Sequence, residues 1–354
     1  MHLLSRAVYT AHRVLAGFAT IFAIFGLSGI MPLEGKSKND VVVMKNGDKF
    51  TGEIKKLENG ILFFKADYMA DSVQLDWARV ERLDTQDSFN VSFVSGKRLV
   101  GAIVELEDHT LAVRSNGTEI AGQRQEVVSI APVEETFWKQ LTGSVDYGFG
   151  FTGGTNAIQS NLSGGVSYLG ERWRTQMSGS SVFNYQSGAR TSGRNNLYFQ
   201  YLKLVTDHWF VGNTASILSS DQQDLTLRTT AGGAVGRDFV NSGTAGMLVL
   251  AGVDFSREKY SVGGKPNENA AEGLVQVQFS KSAFRTLQFN GQVAAYPGLT
   301  TLGRVRLSVQ SSLQREIVRN LYLKLSIYEN YDNRPPSDAS KNDFGTSTSL
   351  GWKF

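Results

Sequence analysis

Residues 321–328 read Leu-Tyr-Leu-Lys-Leu-Ser-Ile-Tyr, so Leu321, Leu323, Leu325 and Ile327 alternate with Tyr322, Lys324, Ser326 and Tyr328. Successive side chains of an extended strand point to opposite faces, so this octet gives one apolar and one wet face. Two neighbouring stretches repeat the pattern. Leu287, Phe289, Val293 and Ala295 alternate with Thr286, Gln288, Asn290 and Gln292, and Val305, Leu307, Val309 and Leu313 with Arg304, Arg306, Ser308, Gln310 and Gln314. A soluble antiparallel sheet alternates in the same way, so strand length, turn lengths and the chain ends must decide between sandwich and membrane barrel.

Working outward, twelve segments of this kind fall near 141–151, 157–169, 171–185, 195–205, 209–219, 225–237, 244–257, 271–281, 285–296, 301–316, 320–331 and 343–354. The fourth and fifth are the least regular, because Leu202, Leu204 and Val205 break the alternation. Segments of about ten alternating residues separated by turn residues are the signature of an outer-membrane barrel, and an even count returns both barrel ends to the periplasm. The odd-numbered connections are then the outer loops. Among them 186–194, 261–269 and 332–342 are expected to be long, whereas Gly170, Thr206-Asp207-His208 and Val318-Arg319 mark short turns.

Arg6 and Arg13 precede the uncharged apolar run Val14–Leu27 and the small residues Ser28 and Gly29, the layout of a secretory signal peptide. The run is shorter than the roughly 20 residues a helix needs to cross a bilayer. Residues 1–28 are therefore expected to be a signal peptide, with Gly35 as a second cleavage position. Thirty-seven Gly, 21 Phe and 12 Tyr against 6 Pro suit an ordered, sheet-rich chain. The absence of Cys removes disulfides, thiolate metal sites and a cysteine nucleophile. A net charge of +3 without a basic stripe gives no case for nucleic acid.

Residues 40–131 contain two similar halves. Gly47 and Gly96 lie 49 apart, as do Gly52 and Gly101, Ile54 and Ile103, and Leu62 and Leu111, so an internal repeat of two small, bent β modules is expected. In each half a strand, a glycine turn, a second strand, another turn and a third strand precede a closing Val/Leu/Ile segment. Asn59-Gly60 is a hairpin signal, and the glycines are read as turn residues. Residues 132–140 are the linker to a barrel over 141–354.

The chain ends with Phe344, Leu350, Trp352 and Phe354 on one parity. A terminal Phe behind alternating apolar residues resembles the signal by which the assembly machinery recognises outer-membrane barrels, and Trp352 and Phe354 would carry it. The stretch Thr142-Gly143-Ser144-Val145-Asp146-Tyr147-Gly148-Phe149, followed by Thr152-Gly153-Gly154-Thr155 and Asn161-Leu162, resembles the opening of the bacterial family called domain of unknown function 481. The likeness covers about 139–354, and the Lys45-Asn46-Gly47-Asp48 repeat resembles a companion segment. Some members are labelled salt-induced outer-membrane proteins, so the resemblance implies a Gram-negative outer-membrane barrel and a link to salt or osmotic stress. It supplies no catalytic motif.

Beyond the signal peptide the histidines are His109 and His208, both read as solvated turn residues. No Cys or further His can complete a site of the commonest metal-ligand types, so neither metal nor cofactor is expected. A barrel phospholipase needs a base within hydrogen-bond reach of its serine, and an outer-membrane aspartyl protease an Asp/His pair near the outer rim; no barrel His lies in the outer half. The inward-parity charges are Asp146, Arg172, Arg174, Arg228, Asp254, Arg304 and Arg306. Either they bias an open lumen toward anions or they pair with inward carboxylates and fill it. Filling is the preferred expectation, since barrels of about eight strands are filled and those of about sixteen are open. Trp173, Trp209, Trp352, Tyr147 and Tyr168 are outward anchors of the aromatic girdles.

The sequence thus predicts an all-β, non-enzymatic transmembrane antiparallel barrel of about twelve strands, preceded by a small periplasmic domain of two repeated modules. A structural role or the passage of small polar solutes is the leading function. A surface lipid- or glycan-acting hydrolase and a periplasmic scaffold for peptidoglycan or a protein partner are the alternatives. Outer-membrane lipids and the assembly machinery are the expected partners.

Overall fold

A computed structural model of the chain describes residues 39–106, 110–115, 118–133, 141–152, 157–170, 172–187, 189–260, 267–283, 286–318, 320–335 and 339–354. The expected signal peptide, His109 and the linker from 134 to 140 lie outside the described residues.

Ten strands form the N-terminal sheet: β1 (Asp40–Met44), β2 (Lys49–Glu58), β3 (Ile61–Lys65), β4 (Val73–Asp76), β5 (Val80–Asp84), β6 (Ser88–Phe93), β7 (Arg98–Glu105), β8 (Leu111–Ser115), β9 (Thr118–Gly122) and β10 (Val127–Pro132). Each half is four strands, a 3₁₀ turn (Trp77–Arg79 or Arg124–Glu126) and a fifth strand that pairs back with the first. The repeat read from the sequence is thus a structural repeat, with a short fourth strand added to each half. The strand order β4-β3-β2-β10-β6-β7-β8-β9 joins the halves into one sheet. They share a single core, in which Ile54, Leu57, Leu62 and Phe64 meet Val91, Ile103, Leu111 and Ile130.

The repeated glycines do two different jobs. Gly47 and Gly96 take φ of +89° and +82° in equivalent turns, a conformation that favours glycine. Gly52 and Gly101 are not turn residues, which corrects the sequence reading. They lie inside β2 and β7, where an added Cβ would stand 2.6 Å from the Lys65 carbonyl oxygen or 2.1 Å from that of Arg114. The next strand therefore crosses too closely for any side chain. Asn59 and Gly60 both take positive φ, the requirement of a two-residue hairpin turn with primed geometry.

The second half is a closed antiparallel barrel of β11 (Leu141–Thr152), β12 (Ala157–Leu169), β13 (Trp173–Gln186), β14 (Ala189–Thr206), β15 (Trp209–Ser220), β16 (Leu225–Asn241), β17 (Ala245–Tyr260), β18 (Glu268–Ala283), β19 (Leu287–Pro297), β20 (Val305–Val318), β21 (Leu321–Asp332) and β22 (Asn342–Lys353). Twelve strands were expected and twelve close the ring. The expected long loop at 186–194 is absent: β13 and β14 extend past their predicted ends and join through residues 187–188, with Ser187 at φ +51°. Polar residues such as Arg190, Ser192 and Asn184 continue the ladder there around a bulge at Thr191, so the sequence had lost its apolar alternation while the backbone had not.

Leu323, Leu325 and Ile327 on β21, with Leu307 and Leu313 on β20 and Val275 on β18, all point outward and remain exposed. An apolar outer band on a closed ring is the form in which strands cross a bilayer, since inter-strand bonds satisfy backbone groups without help from lipid. No helix among the described residues is long and apolar enough to do so. Tyr168 stacks on Trp173 with ring centroids 4.3 Å apart, and Trp209 and Trp352 stay outward and exposed.

The barrel has a short-turn end, with connections at 170–172, 207–208, 242–244, 284–286 and 319–320, and an opposite loop end. The N-terminal sheet docks on the short-turn end. The Arg98 guanidinium donates to the Gly170 carbonyl at 2.6 Å, the Asn241 side chain to the Phe93 carbonyl at 3.1 Å, and the Ser282 hydroxyl to Asn59 Oδ1 at 2.9 Å. Gly96 packs on the backbone and ring of His208, whose Nδ1 is buried. His208 is therefore a half-buried docking residue and not the solvated turn residue expected.

The seam between first and last strands is short. Only four residue pairs, Ser144–Tyr147 against Leu350–Lys353, join β11 to β22, where β11 and β12 share twelve. Reciprocal backbone bonds between Gly143 and Phe354 (3.0 and 3.1 Å) complete it, with the Phe354 ring lying over Gly143.

Candidate functional site

The even-numbered positions of β13 to β21 face the lumen, and their register assembles a filled side and an open side. Near the loop end of the filled side, Arg304, immediately before β20, is 2% exposed. Its Nε and Nη2 donate to the Asp332 carboxylate (3.2 and 2.6 Å), and Nη2 also meets Glu258 Oε2 at 2.9 Å. Arg228 of β16 pairs with Glu258 and reaches Asp332 at 3.4 Å. Arg306 lies next to this group, paired with Glu272 of β18 and stacked over the Tyr296 ring at 4.8 Å. Arg194 of β14 meets Asp343 at 3.4 Å and covers the Tyr328 ring at 4.4 Å. Four arginines thus face four carboxylates, and the lattice ties β14, β16, β17, β18, β20, β21 and β22 together across the lumen. Removing water from a charge is expensive unless it is paired and hydrogen-bonded, and Arg228, Arg304 and Arg306 each meet a carboxylate in both ways.

Below that lattice, Tyr198 Oη accepts from Gln200 and Gln276 (2.9 and 3.1 Å), and Asp254, seated over Gly232, accepts from Thr214 at 3.2 Å. Toward the short-turn end the same side becomes apolar: Leu202, Phe210, Ala234, Leu248, Leu250, Leu274 and Ala294 form a buried cluster with Leu204 packed against it. This accounts for the irregular alternation in the fourth strand. Leu202 and Leu204 face inward, so apolar residues occupy lumen positions that a barrel pattern reserves for polar ones.

The opposite wall is built differently. Ser312, Ser326 and Ser347 are register partners across β20, β21 and β22, and Ser163 pairs with Ser180 across β12 and β13. These side chains remain partly accessible to water. These positions carry short residues, whereas β14, β18 and β19 carry Tyr198, Gln276 and Tyr296 at inward positions. Asp146 of β11 is held by Tyr322, Lys324 (3.0 Å) and Ser163 (3.2 Å) at the edge of that wall.

The seven charges singled out from the sequence therefore separate into four places. Arg228, Arg304 and Arg306 meet in the lattice, with Asp254 just below it. Asp146 lies on the open wall, and Arg174 sits near the short-turn end, bound to Asp238 at 2.9 Å and 4.0 Å above the Phe210 ring. Arg172 is an exposed residue of the turn before β13, outside the lumen wall. Glu258, Glu272, Asp332 and Asp343 were missed, although they share the inward parity of the arginines; Glu258, Asp332 and Asp343 stand near predicted strand ends, where parity is hardest to follow. Trp352 and Phe354 face outward at the seam. Among the described residues no cluster of three or more His, Cys, Asp or Glu is placed to hold a metal ion.

No curated protein matches the chain. Among solved structures, the NanC porin matches with a TM-score of 0.38 at 13% identity, over 59% of this chain and 98% of its own. The translocator domain of the autotransporter NalP from Neisseria meningitidis gives 0.34 at 14% identity, over 60% and 86%. The KdgM porin in complex with disordered oligogalacturonate gives 0.32 at 9% identity, over 60% and 98%. A family model matches residues 148–354, more than half of the chain and nearly all of the barrel, and by that match the chain belongs to the family described as "Protein of unknown function, DUF481".

Proposed function

We propose that this protein is a non-enzymatic barrel of the outer membrane, with its N-terminal sheet in the periplasm, and that it passes small polar solutes through a narrow one-sided channel. The observation that carries the reading is the serine wall. Ser312, Ser326, Ser347, Ser163 and Ser180 keep their side of the lumen short, polar and wetted, while the ion-pair lattice and the Leu202 cluster fill the other. Because Arg304 and Arg306 are matched by carboxylates, the passage discriminates by size more than by the sign of charge.

The orientation rests on the even strand count, which leaves both barrel ends on the docked side, and on the short turns there. A link to salt or osmotic stress has only the family resemblance behind it and is no part of the proposal. Single-channel recording of the purified full chain in planar bilayers tests the reading. Small, weakly ion-selective steps are expected; a silent bilayer containing correctly folded protein would leave a purely structural barrel.

A further inference from the structure

The docked sheet and the barrel do not meet flush. Between them is a cleft of about 530 Å³, lined on the domain side by Lys45, Asn59, Trp77 and Arg124 and on the barrel side by Thr244 and Ser282. Thr244 and Ser282 mark the short-turn ends of β17 and β18, where the outward apolar band stops. The cleft therefore opens at the level where a bilayer exchanges acyl chains for headgroups.

We infer that this cleft binds the headgroup of an anionic phospholipid from the leaflet at the short-turn end. Three observations agree on that occupant. Lys45 is exposed and lines the cleft on the domain side, and Lys281, exposed just outside the lining, sets its Nζ 3.3 Å from Oγ1 of the lining residue Thr244. Arg124 adds a third cation, whose field it shares with Glu105. The carboxylate in the lining, Asp76, already accepts from the Ala78 amide at 3.1 Å and stands 3.9 Å from Arg79. Trp77 is buried in the domain core, and its indole N–H donates to the Arg124 carbonyl at 3.3 Å, which fixes the Arg124 turn at the cleft. Directly beyond the cleft, the outward partners Met247 and Phe279, with Phe289 5.4 Å from the Phe279 ring, form an apolar track on which acyl chains can lie. Basic residues beside a membrane surface recognise anionic lipid in this way.

The inference rests on the membrane orientation proposed above, and its test separates the two. The full chain is purified in mild detergent and titrated with phosphatidylglycerol under native mass spectrometry, with inorganic phosphate as competitor. One retained phosphatidylglycerol per chain is expected, resistant to inorganic phosphate, with affinity about thirtyfold weaker in Lys45→Ala/Lys281→Ala. The heat-induced gel shift of the barrel should be unchanged in that variant. Equal lipid retention by the variant, or displacement by inorganic phosphate at similar concentration, overturns the site. Wild-type protein that fractionates as soluble and shows no gel shift overturns the membrane reading instead.

Discussion

Arg304 and Asp332 form a two-point contact near the loop end of the lumen, with Nε on one carboxylate oxygen and Nη2 on the other, while Nη2 also reaches Glu258. One guanidinium thereby joins carboxylates on β17 and β21. Removing one partner from a buried charge network leaves the others uncompensated, at a typical cost of about 3–5 kcal/mol. Arg304→Ala is therefore expected to lower the temperature of the folded-to-unfolded gel shift and to enlarge the single-channel step. An unchanged transition with unchanged conductance would mean that the lattice neither braces nor narrows the lumen.

The serine wall yields a prediction with the opposite readout. Ser326 lies between Ser312 and Ser347 in the register, so Ser326→Phe places a ring in the open side without touching the ion pairs. Conductance should fall toward the bilayer baseline while the gel shift persists. Undiminished current would place the passage elsewhere.

Docking of the N-terminal sheet can be trapped because the chain contains no cysteine. In Asn59→Cys/Ser282→Cys the two thiols replace side chains now 2.9 Å apart, and a short bis-maleimide is expected to bridge them within one chain. Arg98→Ala should reduce the yield of that product severalfold. Arg98 is half-buried against the mouth, and this desolvation, with Arg174 nearby as the second cause, pulls its pKa down to about 10, so it meets Gly170 at a desolvation cost that its hydrogen bond must offset. Equal crosslinking with and without Arg98 would show that the turns dock without it.

Asp40 gives the domain a dependence on pH. Its carboxylate accepts from the amides of Ile54 (2.9 Å) and Gln86 (3.3 Å), yet burial pushes its pKa above the ordinary carboxylate value. A raised folded-state pKa means that the native state holds the proton more tightly than the unfolded chain. The Asp40 contribution is thus complete below the unfolded value of 3.8 and declines as pH rises through the folded value. Hydrogen exchange at Ile54, corrected for intrinsic rate, should show more protection at the acidic end of that window. Asp40→Ala, which strands the buried Ile54 amide, should cost the domain about 1–3 kcal/mol.

The barrel was legible in the sequence wherever inward and outward positions differ in polarity, as in 321–328, because that contrast fixes the face of every side chain. It was illegible in two places for separate reasons. At 189–194 the strand is polar on both faces, so nothing in the pattern marks it as strand. At Leu202 and Leu204 the inward positions are apolar, because the lumen there is packed and not wet. The repeat in the first half was read from spacing alone, but spacing could not say that Gly52 and Gly101 serve strand crossing, nor that the halves share one core. The lattice was half visible. Its arginines stand out by parity, whereas Glu258, Asp332 and Asp343 stand at or beyond the predicted strand ends, and the Arg194–Asp343 pair joins β14 to β22, strands far apart in sequence.

The short seam gives the barrel a direction in time. Strands β12 to β21 pair on both edges with strands adjacent in the chain, but β11 needs residues 350–354 from the far end of the barrel before its second edge is covered. Until then the sheet is an open ribbon with two unpaired rims. Closure is one late event resting on a handful of bonds around Gly143 and Phe354, and the place where the ring shuts last is also where it would first part.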